Sequence, residues 1–203
     1  MNLPIGKVSN LYYKKGLSTR EVGEMLDASV RQVIRFMEKN GLARRKSEES
    51  NLLKFLRQKP SFNLKSALTN KEEKLQIAGL MLYWGEGAKT GQYTVDLANS
   101  NPLIIKLFVK MLREIYNISE ERLRVLLYCY ANQNVQRLIS YWVKITGISQ
   151  KQFSKPYVRQ DFLEEKKNKM PHGLIHIRYN DKKLLTLIRS DIEKLVIRFI
   201  ELG

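Results

Sequence analysis

Hydrophobic positions recur with helical spacing in the N-terminal part of the chain. Ile5, Val8, Leu11 and Tyr12 share one face of a helix between Pro4 and Lys14, and Lys15-Gly16-Leu17 breaks it. Ser18-Thr19-Arg20-Glu21 has the form of a capping box, in which the Ser18 hydroxyl meets a free backbone N–H and Glu21 reaches back. Val22, Met25 and Leu26 give the buried side of this second helix. Asp27-Ala28 turns the chain, Ser29 caps a third helix, and Val30, Val33, Ile34 and Met37 face inward until Gly41. Asn51–Thr69 then has few apolar anchors beyond a short helical stretch at Leu52–Leu56, and Pro60 interrupts it, as in a linker.

From Lys71 the pattern changes. Lys71–Trp84 is a helix, almost wholly apolar from Leu75, and Gly85 ends it. Gln92–Leu97 alternates as a strand does, and Asn101-Pro102 starts a helix running to about Tyr116. Arg122–Tyr130 is a strand, Asn132–Thr146 a helix, Phe153–Arg159 a short extended piece and Leu174–Tyr179 a strand. A long amphipathic helix, Asp181–Leu202, closes the chain. Interleaved helices and few strands predict an α+β fold, with helices on one face of a mixed or antiparallel sheet.

The other sheet face carries Gln92, Thr94, Asp96, Arg122, Arg124, Lys155, Tyr157, Arg159, His176, Arg178 and Asn180 on alternate positions. Any half-exposed sheet alternates, but five Arg or Lys against one Asp is a biased face. The whole chain shares the bias: 36 Lys and Arg against 20 acids give a formal charge of +16. The excess is spread out, with ten basic and six acidic residues in Met1–Ser50 and twenty against twelve in Leu75–Gly203. Such a chain suits a polyanion, nucleic acid before an anionic membrane surface, and no basic amphipathic anchor for a membrane is present. No apolar run reaches transmembrane length, and MNLPIGKVSN lacks the apolar core of a signal peptide. The lone Cys129 excludes an intramolecular disulfide and sits at the apolar parity of its strand, as a core thiol does. These features lead to the expectation of a cytoplasmic, nucleoid-associated protein.

Three short helices with a tight turn before the third make a helix-turn-helix. The segment LYYKKGLSTREVGEMLDASVRQVIRFMEKNGLARR resembles the homeodomain-like helix-turn-helix of resolvases and small regulators. Arg31, Gln32 and Arg35 lie off the apolar face of the third helix. Arg and Gln have the donor and acceptor geometry that reads guanine and adenine in the major groove. Arg44, Arg45 and Lys46 are candidates for phosphate or minor-groove contacts.

The stretch GLMLYWGEG resembles the LAGLIDADG motif of homing endonucleases and related DNA-binding proteins, and the likeness extends over about Lys71–Gly203. The resemblance implies an N-terminal helix-turn-helix domain (1–48), a basic linker (49–70) and a LAGLIDADG-like domain (71–203). It places Glu86 on the acid that binds the divalent metal, Mg²⁺, which supports phosphodiester cleavage, and Lys182 or Lys183 on the basic catalytic helper. With one motif copy, a homodimer is needed to bring two Glu86 side chains together. Met81 stands where the motif has a small residue, and Trp84 is bulky near the tip. Two outcomes follow for a partner of double-stranded DNA: a Mg²⁺-dependent homodimeric endonuclease, or a non-cleaving transcriptional regulator on the same fold.

Other chemistries fit less well. GEGAKT lacks the glycine that a P-loop needs directly before its lysine. His172 and His176 can share a strand face, with no third zinc ligand nearby in sequence. Asp161, Glu164 and Glu165 sit in a charged connection, more solvated than catalytic. Nothing points to a small-molecule substrate.

Overall fold

The computed structural model describes residues 3–160 and 170–201, so Asp161, Glu164 and Glu165 lie outside the described residues. The fold is α+β, with eight α-helices and a four-stranded mixed sheet among the described residues. The chain divides into two compact units at Lys59/Pro60. No described helix is long and apolar enough to cross a membrane.

The first unit is helical. Helix α1 (Ile5–Ser9) continues as a π-helical turn over Asn10–Lys14 and is followed by α2 (Thr19–Met25) and α3 (Val30–Lys39). Val8, Leu11, Tyr12, Val22, Val33 and Met37 form the core; Ile5 and Met25, both expected inside, are 49% and 60% exposed. They stand at the outer ends of short helices, where the apolar stripe has already turned away from the centre. Both capping boxes form: Ser18 Oγ accepts from the Glu21 N–H, and Ser29 Oγ accepts from the Gln32 N–H. The turn between α2 and α3 is closed by the Ala28 N–H on the Gly23 carbonyl at 2.8 Å. A Cβ on Gly23 would meet the Ala28 oxygen at 2.3 Å, so only glycine allows this approach.

The expected linker is mostly structured. Helix α4 (Ser47–Arg57) belongs to the first unit. Its start carries Glu48 and Glu49 and its end Lys54 and Arg57, which complements the helix dipole. Leu53 reaches Gly16, and Arg57 makes a two-pronged pair with Glu21 at 3.1 and 3.0 Å. Beyond the boundary, Ser61 donates from N and Oγ to Asp181, at 3.0 and 2.6 Å, and Phe62 bridges to Ile118. These are tertiary contacts, invisible to local periodicity. The segment therefore splits between the units instead of hanging between them.

In the second unit, α5 (Asn70–Glu86) starts from a capping box of Thr69 and Glu72. It is followed by β1 (Thr94–Asn99), α6 (Pro102–Glu114), β2 (Leu123–Tyr130), α7 (Val135–Thr146), β3 (Tyr157–Arg159), β4 (Leu174–Asn180) and α8 (Lys182–Glu201). The sheet order is β1-β4-β2-β3, with β4 antiparallel to both neighbours and β3 parallel to β2. One sheet face, including Val95, Leu97, Val125, Leu127, Ile175 and Ile177, packs with side chains of α5 to α8 into a single core. Trp142, Tyr116 and Tyr179 are its largest wholly buried members, and each such side chain contributes about 2 kcal/mol or more on leaving water. Close packing of α5 on α6 needs Gly79, whose added Cβ would lie 2.3 Å from Met111 Sδ.

Gly85 does not end α5. The helix runs on through Gly85 and Glu86, and Gly87 closes the last turn with its N–H on the Tyr83 carbonyl at 2.8 Å. Gly87 then pairs with Leu97 and the Ala88 N–H bonds Asp96, so the helix feeds directly onto the edge of β1. This pairing holds the helical turn that an isolated glycine would fray.

Candidate nucleic-acid interface

Helix α3 presents its basic side because Val33 and Met37 anchor the other. Arg31 and Arg35 are exposed, and among the described residues neither has an acidic partner. Gln32 departs from expectation. Its Oε1 accepts the Ser29 N–H at 2.7 Å as the return arm of the capping box, so the paired amide geometry needed to read adenine is already spent.

The basic segment after α3 also separates into different roles. Arg44 and Lys46 are exposed. Arg45 is half-buried: its guanidinium lies 4.0 Å from the centre of the Tyr12 ring and Nη2 donates to the Leu17 carbonyl. The Arg45 N–H also donates to the Tyr12 hydroxyl at 2.9 Å. Arg45 thus fastens this segment to the helical core and is withdrawn from phosphate contact.

On the sheet, the pairing register brings the expected residues onto the face opposite the core. Asp96, Arg178 and Arg124 form one cross-strand row, Ala98, His176 and Leu126 the next, and Leu174, Tyr128 and Tyr157 the third; Tyr130 and Arg159 follow. Arg178 Nε and His176 Nδ1 both meet the Asp96 carboxylate, each at 2.8 Å. A carboxylate only accepts, so Nδ1 of His176 carries the proton. Burial pushes the Asp96 carboxyl up, but the bonds and charge of His176 and Arg178 outweigh it and hold the group below its ordinary range. Arg124 folds back onto the carbonyls of Glu121 and Leu123, at 2.6 and 2.7 Å, and Arg122 donates to the Asn180 carbonyl. Arg159 and Lys155 are exposed on and before β3.

The centre of this face is aromatic and apolar. Tyr128 lies between Tyr157 and His176, with ring centres 5.0 Å apart in both pairs. Leu126 and Tyr128 were legible as a continuation of the Arg122–Arg124 alternation; a reading limited to polar residues passes over them.

Glu86 is exposed at the last turn of α5, where Asn99 Nδ2 donates to it at 3.4 Å. Mg²⁺ needs a near-octahedral set of oxygens. Among the described residues no group of three His, Cys, Asp or Glu side chains could hold an ion. Lys183 is not beside Glu86. Glu86 bonds Asn99 at one end of β1, whereas Lys183 follows Asn180, which pairs with Thr94 at the other end. The intervening strand spans on the order of 15 Å. Lys182, the other candidate, stands 5.5 Å over the Tyr93 ring. His172 stacks on Tyr141 with ring centres 3.8 Å apart, while His176 is engaged with Asp96. Cys129 is buried in the core, and burial raises its thiol.

Comparison with protein-family models, with curated proteins and with solved structures finds no match.

Proposed function

We propose that the chain is a sequence-specific DNA-binding protein of two modules. In this reading α2 and α3 form a helix-turn-helix, Arg31 and Arg35 read base edges in the major groove, and Arg44 and Lys46 meet phosphates. The observation that carries the reading is the exposed pair Arg31 and Arg35 on a helix braced by a glycine-tight turn and a capping box. The second unit adds a nucleic-acid contact through Arg124, Arg159 and Arg178 on the open sheet face. A non-cleaving transcriptional regulator fits best, because among the described residues no group of three His, Cys, Asp or Glu side chains gathers at Glu86, and Lys183 follows the far end of β1.

Cleavage is a second reading, favoured by one feature. Helix α5 leaves Ala78 and Gly85 exposed, and nothing lies within 4 Å of a Cβ on Gly85, which leaves room for a second copy of the helix. A homodimer formed there would join two Glu86 carboxylates near a two-fold axis, as a Mg²⁺ site requires.

The test is selection of bound sites from a random duplex pool, followed by incubation of the selected duplex with Mg²⁺. Site selection that is unchanged by Arg31→Ala and Arg35→Ala removes the reading helix. Metal-dependent cutting lost in Glu86→Gln, with binding retained, establishes the nuclease; binding without cutting leaves the regulator.

A further inference from the structure

We infer that the open face of the sheet takes the bases of an unpaired DNA strand, rather than the outside of a duplex. The inference rests on the nucleic-acid reading of the second unit and names which form of DNA that surface recognises.

The register sets an aromatic band between two cationic margins. Arg124 and Arg178 are paired neighbours in one row; His176 follows, then Tyr128 with Tyr157, and Arg159 lies beyond them on β3. The ring planes are tilted by 41° between Tyr128 and Tyr157 and by 37° between Tyr128 and His176, so the three rings adjoin across neighbouring strands at an incline to one another. Tyr157 is 56% exposed, although it is the most apolar side chain of its short strand's outer face.

A duplex offers phosphates and groove edges to a flat surface, while its base faces are stacked inside. Tyrosine rings gain little from phosphates. They gain much from an unpaired base, because every base has a π-face, whatever the sequence. The distribution of charge agrees. At the first row the Asp96 carboxylate stands beside Arg178 and weakens that margin as a phosphate track, yet it holds His176 in place by the bond to Nδ1. Arg124, whose guanidinium bonds two backbone carbonyls, and Arg159 lie at either end of the rings, where the sugar–phosphate chain of a strand stacked on the band would pass. A four-stranded sheet with adjoining aromatics and marginal arginines is complementary to single-stranded nucleic acid in shape and in charge.

The experiment measures binding of the full chain to a labelled oligothymidylate of about twelve nucleotides and to a duplex of equal length, both by fluorescence anisotropy. Tyr157→Ala is expected to weaken single-strand binding about tenfold or more, with Tyr157→Phe close to wild type and duplex affinity unchanged. Because Tyr157 is exposed, its truncation leaves the core intact, and circular dichroism checks this. Arg31→Ala with Arg35→Ala is expected to do the reverse, weakening the duplex and sparing the single strand. Duplex binding without single-strand binding overturns the inference and leaves the DNA reading standing. So does a Tyr157→Ala variant that loses nothing, or that loses both ligands equally. Binding of neither ligand overturns both.

Discussion

The two basic surfaces of this protein differ in what their arginines are already doing. On α3, Arg31 and Arg35 extend from a helix capped by Ser29 and Gln32, and neither guanidinium has an acidic partner among the described residues. On the sheet, Arg178 is held by Asp96, Arg124 by its own backbone and Arg122 by Asn180. Free cations supply long-range attraction and can rotate to fit a base edge. Held cations supply less net charge but a fixed shape, with an aromatic band between them. A count of positive residues would rate the sheet higher; their bonding is why the proposed base contacts are put on α3.

The largest expected effect tests whether the two surfaces are carried by independent bodies. Gly79→Ala forces a methyl group against Met111 in the second unit and should destabilise that unit by about 2 kcal/mol. Urea unfolding followed separately in each unit should show the first unit's midpoint unmoved; a shared drop would contradict the division.

Next come Arg31 and Arg35, the proposed base contacts. Arg31→Ala or Arg35→Ala should each cost about 1–3 kcal/mol in binding a selected duplex, without lowering stability. Arg178→Ala should cost under about 1 kcal/mol on the same duplex, since its charge is shared with Asp96. Equal losses at Arg31 and Arg178, measured by anisotropy at one salt concentration, would erase the distinction drawn between the surfaces.

Neighbouring arginines of the first unit give a sharper pair. Arg44→Ala should reduce the salt dependence of duplex binding by about one counterion and leave stability alone. Arg45→Ala should do the opposite, lowering stability by about 1 kcal/mol through loss of its Tyr12 and Leu17 contacts. A reduced salt slope in Arg45→Ala would return that residue to the phosphate-binding set.

The smallest effect concerns acid. Arg57 and then Ser18 hold the Glu21 carboxyl at about 2, below its ordinary 4.5. A depressed carboxyl stabilises the fold above its unfolded value, and that contribution is lost as pH falls from 4.5 toward 2. The Glu21 side chain is 40% exposed, so screening keeps its share under about 1 kcal/mol. Asp96 has the same sign, fading below its ordinary 3.8, and is 17% exposed. Acid titration of stability should therefore flatten more in Asp96→Asn than in Arg57→Ala; the reverse order would mean that the surface pair is the stronger.

Much of this was legible in the residues. The capping box at Ser18, the N-cap at Ser29, the Asn101-Pro102 helix start and the parity of each strand need only neighbours a few positions away, and local chemistry decides them. Distance explains most of the errors. Arg45 reads as a phosphate contact until Tyr12, far back in the chain, is found beneath it, whereas Gln32 reads as a base contact only because the return arm of the nearby Ser29 cap is overlooked. Gly85 reads as a helix end because the bridge from Gly87 to Leu97, which supports the extra turn, joins residues from different elements.

By itself, then, the sequence determined the order of elements, the α+β class, the excess of positive charge and the face of each strand. Only the tertiary structure decided which cations remain free, where the two units divide, that Glu86 and Lys183 stand at opposite ends of β1, and that Tyr128, Tyr157 and His176 meet. The reason is physical. Periodicity and capping are written within a few residues, whereas the occupation of a side chain depends on partners that the chain brings in from far along its length.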